Sequence, residues 1–330
     1  MNPKAAEARD FGGSPRLRRA PDLLVRYPPE EDGFASGAKA ASYAVVYVRP
    51  ETNTVLYERA IVAAIRGRGE EVIYLANLGG ALIQQDGILK EHYPSQLLFA
   101  SDPRAQAARY PEIGERLELH FGAPIESLPL VGAFAAAART SAEELFESFV
   151  PPPDFLTCWG QQFKRVGGAV VANPGLPAVL NRYTLQANVF VVVVRSADDS
   201  PGFFSSLNRA IYREISSRAE TPLVDGERLG AVPWPERVRR TYHLSRTHLM
   251  AMFDMADLVY LAEGRRLAIA ETPLGKSLRA QGMVTAQMLQ DLRREPLRYT
   301  HHGNHRILHY LPLAGEGQGL AWVGEFLRRL

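Results

Sequence analysis

Apolar and polar residues follow one another along the chain in patterns that predict both strands and helices. Residues 43–48, with the sequence YAVVYV, predict a buried strand, residues 55–66 an amphipathic helix, and residues 71–75 a second strand. The apolar run VFVVVV at 189–194 predicts another strand, and a helix is expected to follow it over 203–218. Strands that alternate with helices favour an α/β or ferredoxin-like layer.

Two of these strand–helix segments resemble each other. AVVYVR at 44–49 aligns with FVVVVR at 190–195, and RAI at 59–61 aligns with RAI at 209–211 after a four-residue insertion. An internal repeat and a chance likeness between short strand–helix units both explain this alignment. The helix at 203–218 could equally be the first helix of a C-terminal domain.

Residues 235–278 show a different order of elements. The pattern predicts a short helix over 235–243, then a second helix over 244–258 with Ser245 as its N-cap. Two short strands joined at Glu263-Gly264 follow, and a further helix begins near Thr272. Leu249, Phe253 and Ala256 recur at the helical spacing of i, i+4 and i+7. The segment therefore predicts two helices joined by a turn and followed by a hairpin.

This order resembles the winged helix-turn-helix superfamily of bacterial regulators. The resemblance lies in LSRTHL at 244–249 and in TPLG at 272–275, and it covers about a quarter of the chain. It implies that Ser245, Arg246 and Thr247 contact base edges in the major groove. The remaining DNA contacts that we predict are Arg239, Arg240, Arg265, Arg266 and Lys276.

The charge distribution agrees with a nucleic-acid partner. Residues 232–310 hold 12 Lys and Arg against 7 Asp and Glu, whereas the rest of the chain has a net charge of −3. A basic region on a slightly acidic body is what phosphate contact requires. Residues 270–277 match a relaxed P-loop pattern, but Pro273 lacks the amide hydrogen that such a loop uses. We therefore expect no bound ATP at this segment.

Three functions are compatible with these features. The first is a DNA-binding regulatory protein whose N-terminal block senses a ligand or mediates assembly. The second is an enzyme, or a nucleotide- or small-molecule-binding protein, with a structural C-terminal domain, and the third is a protein-interaction scaffold. The sequence predicts no catalytic residues, no metal site and no cofactor. Cys158, the single cysteine, is expected to be a buried structural thiol.

The predicted organisation is α+β, with an N-terminal α/β block that is ferredoxin-like or similar and a winged-helix-like C-terminal region. A disordered tail at 1–40 precedes an α/β domain at 41–150, a linker with a β segment at 151–200, a winged-helix-like domain at 201–310 and a C-terminal helix at 311–330. The partners expected are double-stranded DNA, a small-molecule effector and a second copy in a homodimer, with no membrane. With no apolar signal segment at the N-terminus, we expect a cytoplasmic protein.

Overall fold

The computed structural model describes residues 20–27, 41–198, 200, 202–218, 241–280, 282 and 284–294. The strands in this part of the chain are β1 (Asp22–Val25), β2 (Ser42–Val48), β3 (Glu71–Gly79), β4 (Leu130–Gly132), β5 (Phe155–Cys158), β6 (Gln161–Val166), β7 (Ala169–Ala172), β8 (Asn188–Ser196) and β9 (Tyr242–Leu244). The helices are α1 (Val55–Gly67), α2 (Gly80–Gln85), α3 (Ile88–His92), α4 (Pro94–Ser101), α5 (Pro103–Arg109), α6 (Pro111–Phe121), α7 (Ala133–Ala137), α8 (Ala142–Glu147), α9 (Leu176–Arg182), α10 (Phe203–Ser217), α11 (His248–Leu258), α12 (Pro273–Ala280) and α13 (Ala286–Arg294). The predicted α+β class is confirmed.

The chain forms two compact units. The first contains residues up to Ile88 together with those from Tyr183 to Arg293, and the second contains Leu89–Arg182. The second unit is therefore inserted in the chain between β3 and β8 of the first. This division differs from the predicted boundaries, which placed domain ends at 150 and 200.

The first unit is built on a five-stranded antiparallel sheet in the order β1-β3-β8-β2-β9. Without β1, the strands and helices run β2-α1-β3 and β8-α10-β9, with β2 and β8 in the centre of the sheet. This is the split β-α-β arrangement of ferredoxin-like folds. The predicted ferredoxin-like layer is therefore present, but residues on both sides of the inserted unit form it.

Both faces of this sheet are covered. Helices α1 and α10 pack on one face, where Ile61, Ile65, Phe203 and Ile211 meet the inward side chains of β2 and β8. Helix α11 contacts β2 on the opposite face, and the hydroxyl of Tyr74 donates to the carbonyl oxygen of Leu258 there. Burial on both sides explains why the central strands consist almost entirely of apolar residues.

The aligned strand–helix segments occupy equivalent places in this sheet. The alignment of 44–49 with 190–195 places Val46 on Val192, and these two residues are direct partners in the β2–β8 ladder. A twofold axis through this pair exchanges β2-α1 with β8-α10. The likeness seen in the sequence therefore coincides with the internal symmetry of the ferredoxin-like topology.

The second unit has a four-stranded sheet in the order β4-β7-β6-β5, with β4 and β7 parallel and the other pairs antiparallel. Its core centres on Phe99 and Phe163, whose rings meet edge to face at 6.0 Å. Cys158 is buried, as expected from the sequence. Its burial raises the pKa of the thiol to about 12. Residues 151–153, which were predicted to be a stiff linker, lie inside this unit.

A buried polar cluster joins the strands of the second unit to α4. Asn173 is 5 % exposed, and its Oδ1 accepts from the backbone amide of Gln162 at 2.9 Å. Its Nδ2 donates to the carbonyl oxygen of Gln96 at 3.0 Å and to Oε1 of Gln161 at 2.9 Å. Asn173 also has a positive φ of 51°, a conformation that Asn tolerates better than most residues. The cluster is satisfied internally, which indicates a structural role.

The predicted helix over 235–243 extends two residues too far, because Thr241 is helical but the chain leaves the helix there. Residues 242–244 form β9, which pairs with β2 through Tyr47 opposite His243. A strand therefore lies where the turn between two helices was expected. The predicted disordered tail at 1–40 is wrong at Asp22–Val25, which forms β1 and pairs with β3. The rest of that tail at 1–19 and 28–40, residues 219–240 and the C-terminal helix predicted at 311–330 lie outside the described residues.

Candidate nucleic-acid interface

Helix α11 was predicted to enter the major groove, but the structure places it in the interior. It begins at His248 rather than near Ser245, and Thr247 is its N-cap, whose Oγ1 accepts from the amide of Met250 at 3.0 Å. Eight of its 11 residues are buried. A helix that is covered on nearly all sides cannot lie in a DNA groove, so the assignment of α11 as the recognition helix is wrong.

Ser245 and Thr247 are 0 % and 2 % exposed, so neither side chain can reach a base edge. The hydroxyl of Ser245 donates to Oδ2 of Asp254 at 2.7 Å and accepts from the amide of Val45. His243 Nε2 lies 3.1 Å from the same carboxylate oxygen. Both side chains bind one oxygen of Asp254 instead of forming a relay, which separates the group from a Ser-His-Asp triad. Its effect is to hold α11 on the sheet.

In place of the two strands predicted around Glu263-Gly264, the structure has a tight turn with one isolated β-bridge between Tyr260 and Arg266. Gly264 has a φ of 85°, and the amide of Leu261 donates to the carbonyl oxygen of Arg265. Arg265 forms ion pairs with Glu263 at 2.9 Å and with Glu271 at 2.6 Å. The Arg265 guanidinium lowers the pKa of Glu271, as hydrogen-bonded ion pairing requires. Arg265 is thus engaged by two carboxylates of its own turn.

The other residues predicted to contact DNA differ in their exposure and lie on different elements. Arg246 is exposed just before α11, Arg266 is half-buried, and Lys276 lies half-buried on α12. Arg239 and Arg240 lie outside the described residues. The structure therefore does not bring the predicted set together around one helix.

Helices α12 and α13 form a second pair of helices joined by a turn. Helix α12 begins where the sequence predicted it, next to Thr272. Thr272 Oγ1 accepts from the amide of Gly275 at 3.2 Å, and Thr285 Oγ1 accepts from the amide of Met288 at 3.1 Å, so each helix has a threonine cap. Five residues separate the helices, and Gly282 among them has a φ of 66°, which favours glycine.

These two helices share a core with α11. The shared core consists of Leu249, Met252, Ala256, Ile269, Ala270, Leu278, Val284, Leu289 and Leu292. Gly275 allows α12 to approach the preceding 3₁₀ turn, because a Cβ there would lie 2.1 Å from the carbonyl oxygen of Ile269. Arg293 of α13 forms an ion pair with Asp257 of α11, and their side chains are 12 % and 2 % exposed. Leu249 is buried as predicted, though its neighbours are α12 and α13.

A shallow open depression lies where α12 ends and α13 begins. It is lined by Lys276, Arg279, Ala280, Val284, Thr285 and Ala286. Two of these lining residues are cations, Lys276 and Arg279, and the charge of Lys276 also helps to lower the pKa of the Glu271 carboxyl. The amino end of α13 also lies here, and the partial positive charge of a helix N-terminus adds to that of the side chains. The depression therefore suits an anion such as a phosphate group.

The exposed face of α13 adjoins this depression. Ala286 and Gln287 in its first turn are exposed, and Gln290 and Asp291 in the next turn are half-buried. Leu289 and Leu292 point the other way, into the shared core. Helix α13 was not among the functional elements predicted from the sequence. Gly282 followed by Thr285, with the apolar residues at 289 and 292, could have identified a second turn between two helices.

Three further observations bear on function. Within the described ranges, no group of three or more His, Cys, Asp or Glu side chains could hold a metal ion. No helix in that part of the chain is both long enough and apolar enough to span a bilayer. Comparisons with protein-family models, curated proteins and solved structures found no match to this chain.

Proposed function

We propose that this protein is a DNA-binding regulatory protein that binds double-stranded DNA through α12, the turn after it, and α13. In this proposal the two helices act as a helix-turn-helix, and α13 is the helix that enters the major groove. The observation that carries the proposal is the depression lined by Lys276 and Arg279, directly beside the exposed first turn of α13.

The depression supplies the contacts that position a protein on a duplex. Phosphate contacts come from Lys and Arg side chains, hydroxyl groups and helix N-termini, and they fix orientation without reading sequence. Lys276, Arg279 and Thr285 provide cations and a hydroxyl on one concave surface, beside the N-terminus of α13. The first turn of α13 then faces the base edges, as the N-terminal residues of a recognition helix do.

The packing of α13 against α11 also supports the proposal. Leu289 and Leu292 are buried in the shared core, and the Asp257–Arg293 ion pair fixes the other end of the helix to α11. A binding helix that is already held in place loses little conformational entropy when it meets DNA. In this arrangement α11 is the support of the DNA-binding helix.

The test uses the full chain and duplex DNA of mixed sequence, with affinity measured by fluorescence anisotropy over a range of salt. The double variant Lys276→Ala/Arg279→Ala should weaken binding to every sequence. The slope of log affinity against log salt should become shallower by about 0.9 for each phosphate that the variant no longer neutralises. The matched control is Lys90→Ala/Arg139→Ala, which removes two exposed cations elsewhere and should retain the affinity.

Two outcomes would remove the proposal. One is that the unmodified chain binds no duplex at low salt, where counterion release is most favourable. The other is that the two double variants weaken binding by the same factor, because binding would then follow net charge and not this surface.

A further inference from the structure

On the basis of the proposed function, we infer that α13 prefers A·T over G·C base pairs where its first two turns meet the major groove. The observation is the chemistry of the exposed face. Gln287 and Gln290 are three positions apart, and the pairs Ala286–Gln290 and Gln287–Asp291 are each four apart, so the four residues lie on one side of the helix. The groups offered to a base are therefore one methyl, two amides and one carboxylate.

These groups match an A·T pair. The side-chain amide of glutamine can donate to N7 of adenine and accept from its N6 amino group at the same time, and an alanine methyl can contact the methyl of thymine. Gln287 and Gln290 are placed to make the first contact, and Ala286 the second. Each partner of the pair is then recognised by a group on the same helical face.

A G·C pair is poorly matched by the same face. Guanine presents two acceptors, N7 and O6, which are best bound by the cation of Arg or Lys. Among the described side chains of α13, the cation is Arg293, and it is directed to the buried Asp257. Asp291 adds a carboxylate, which cannot donate to N7 or O6 of guanine, and its Oδ1, which would otherwise accept from N4 of cytosine, already accepts from Gln287.

The contact between Gln287 and Asp291 orients the reading group. Gln287 Nε2 donates to Oδ1 of Asp291 at 2.9 Å, one helical turn further on. One amide hydrogen and the Oε1 of Gln287 are left for the base, which is what a bidentate contact with adenine requires. Asp291 thus acts as a positioning residue for Gln287.

The experiment selects duplexes from a pool randomised at its centre, using the full chain, and then compares one selected duplex with a copy whose A·T pairs are changed to G·C. The unmodified protein should favour the selected duplex by roughly five- to 150-fold for each bidentate contact. Gln287→Ala and Gln290→Ala should each bring this ratio closer to one, chiefly by weakening binding to the selected duplex. Gln85→Ala, an exposed glutamine on α2, is the control and should keep the ratio.

The outcomes separate this inference from the proposed function. Selection of G·C-rich duplexes, binding without base preference, or a ratio that survives both glutamine variants would overturn the inference and leave DNA binding standing. Absence of binding to any duplex at low salt would overturn both.

Discussion

The ion pair between Asp257 and Arg293 joins the DNA-binding helix that we propose to its support, so its removal should have a large effect. The pair is buried, with side chains 2 % and 12 % exposed. Asp257→Ala leaves the guanidinium of Arg293 in the interior without its carboxylate partner. Such a change lowers the free energy of unfolding by about 3–5 kcal/mol. Because whole domains are stable by only about 5–15 kcal/mol, we expect α13 to detach or the first unit to unfold at a lower urea concentration.

A second Arg–carboxylate pair in the same region provides the control. Arg265 is 50 % exposed where it meets Glu271, and exposed ion pairs contribute about 0–1 kcal/mol. Arg265→Ala should therefore shift the urea transition little, although both pairs join a guanidinium to a carboxylate. The comparison separates the effect of burial from that of charge.

The assay is urea unfolding of the full chain, followed by circular dichroism, with hydrogen exchange of the α11 and α13 peptides as a local readout. Asp257→Ala should raise exchange in both helices, whereas Arg265→Ala should not. The double variant Asp257→Leu/Arg293→Met should recover most of the lost stability, because an apolar pair of similar volume often replaces a buried ion pair without cost. A loss below about 1 kcal/mol for Asp257→Ala would refute the burial argument.

Three other changes test the core, the polar cluster and the thiol. Gly275→Ala should lower the free energy of unfolding by about 1–3 kcal/mol, because the new Cβ would lie 2.1 Å from the carbonyl oxygen of Ile269. The control Gly67→Ala, whose Cβ would have nothing within 4 Å, should be neutral or stabilising. Equal urea midpoints for the two variants would contradict this. Asn173→Ala should lower the free energy of unfolding by about 2–4 kcal/mol, because it removes three side-chain hydrogen bonds. An unchanged melting temperature would show that the cluster is not structural. Cys158 should resist alkylation at pH values of about 8.5 in the folded chain and react readily in urea, because its pKa is raised to about 12; rapid reaction of the folded chain would show that the thiol is exposed.

The helices of the C-terminal region could be placed from the sequence because their start signals are local. Thr272 before Pro273 and Thr285 before α13 are N-caps, and both helices begin where these caps indicated. Strand β9 could not be placed in this way. It has three residues, and its partner strand is almost 200 residues earlier in the chain, so no local pattern records the pairing.

The domain boundaries could not be placed for a related reason. The segment at 151–153 has the composition of a linker, yet it lies within the inserted unit. The first unit is completed only when β8 returns to lie between β2 and β3, and this return depends on contacts between distant segments. The likeness between 44–49 and 190–195 was the one sequence feature that crossed the insertion, and it marks the two halves of the ferredoxin-like sheet.

The position of the helix that we propose reads DNA illustrates what the apolar pattern can decide. In α11 the sequence HLMAMFDMADL offers apolar residues on every side, and a helix that is hydrophobic all round belongs in a protein interior. In α13 the sequence AQMLQDLRR keeps its apolar residues on one stripe, and the opposite face is left for a partner. Helix α11 lies in the segment that resembles a winged helix-turn-helix and α13 follows it, but of the two only α13 has a polar face that is free of the core. The amphipathic pattern therefore distinguishes the supporting helix from the one that we propose meets DNA, where the likeness to a motif alone did not.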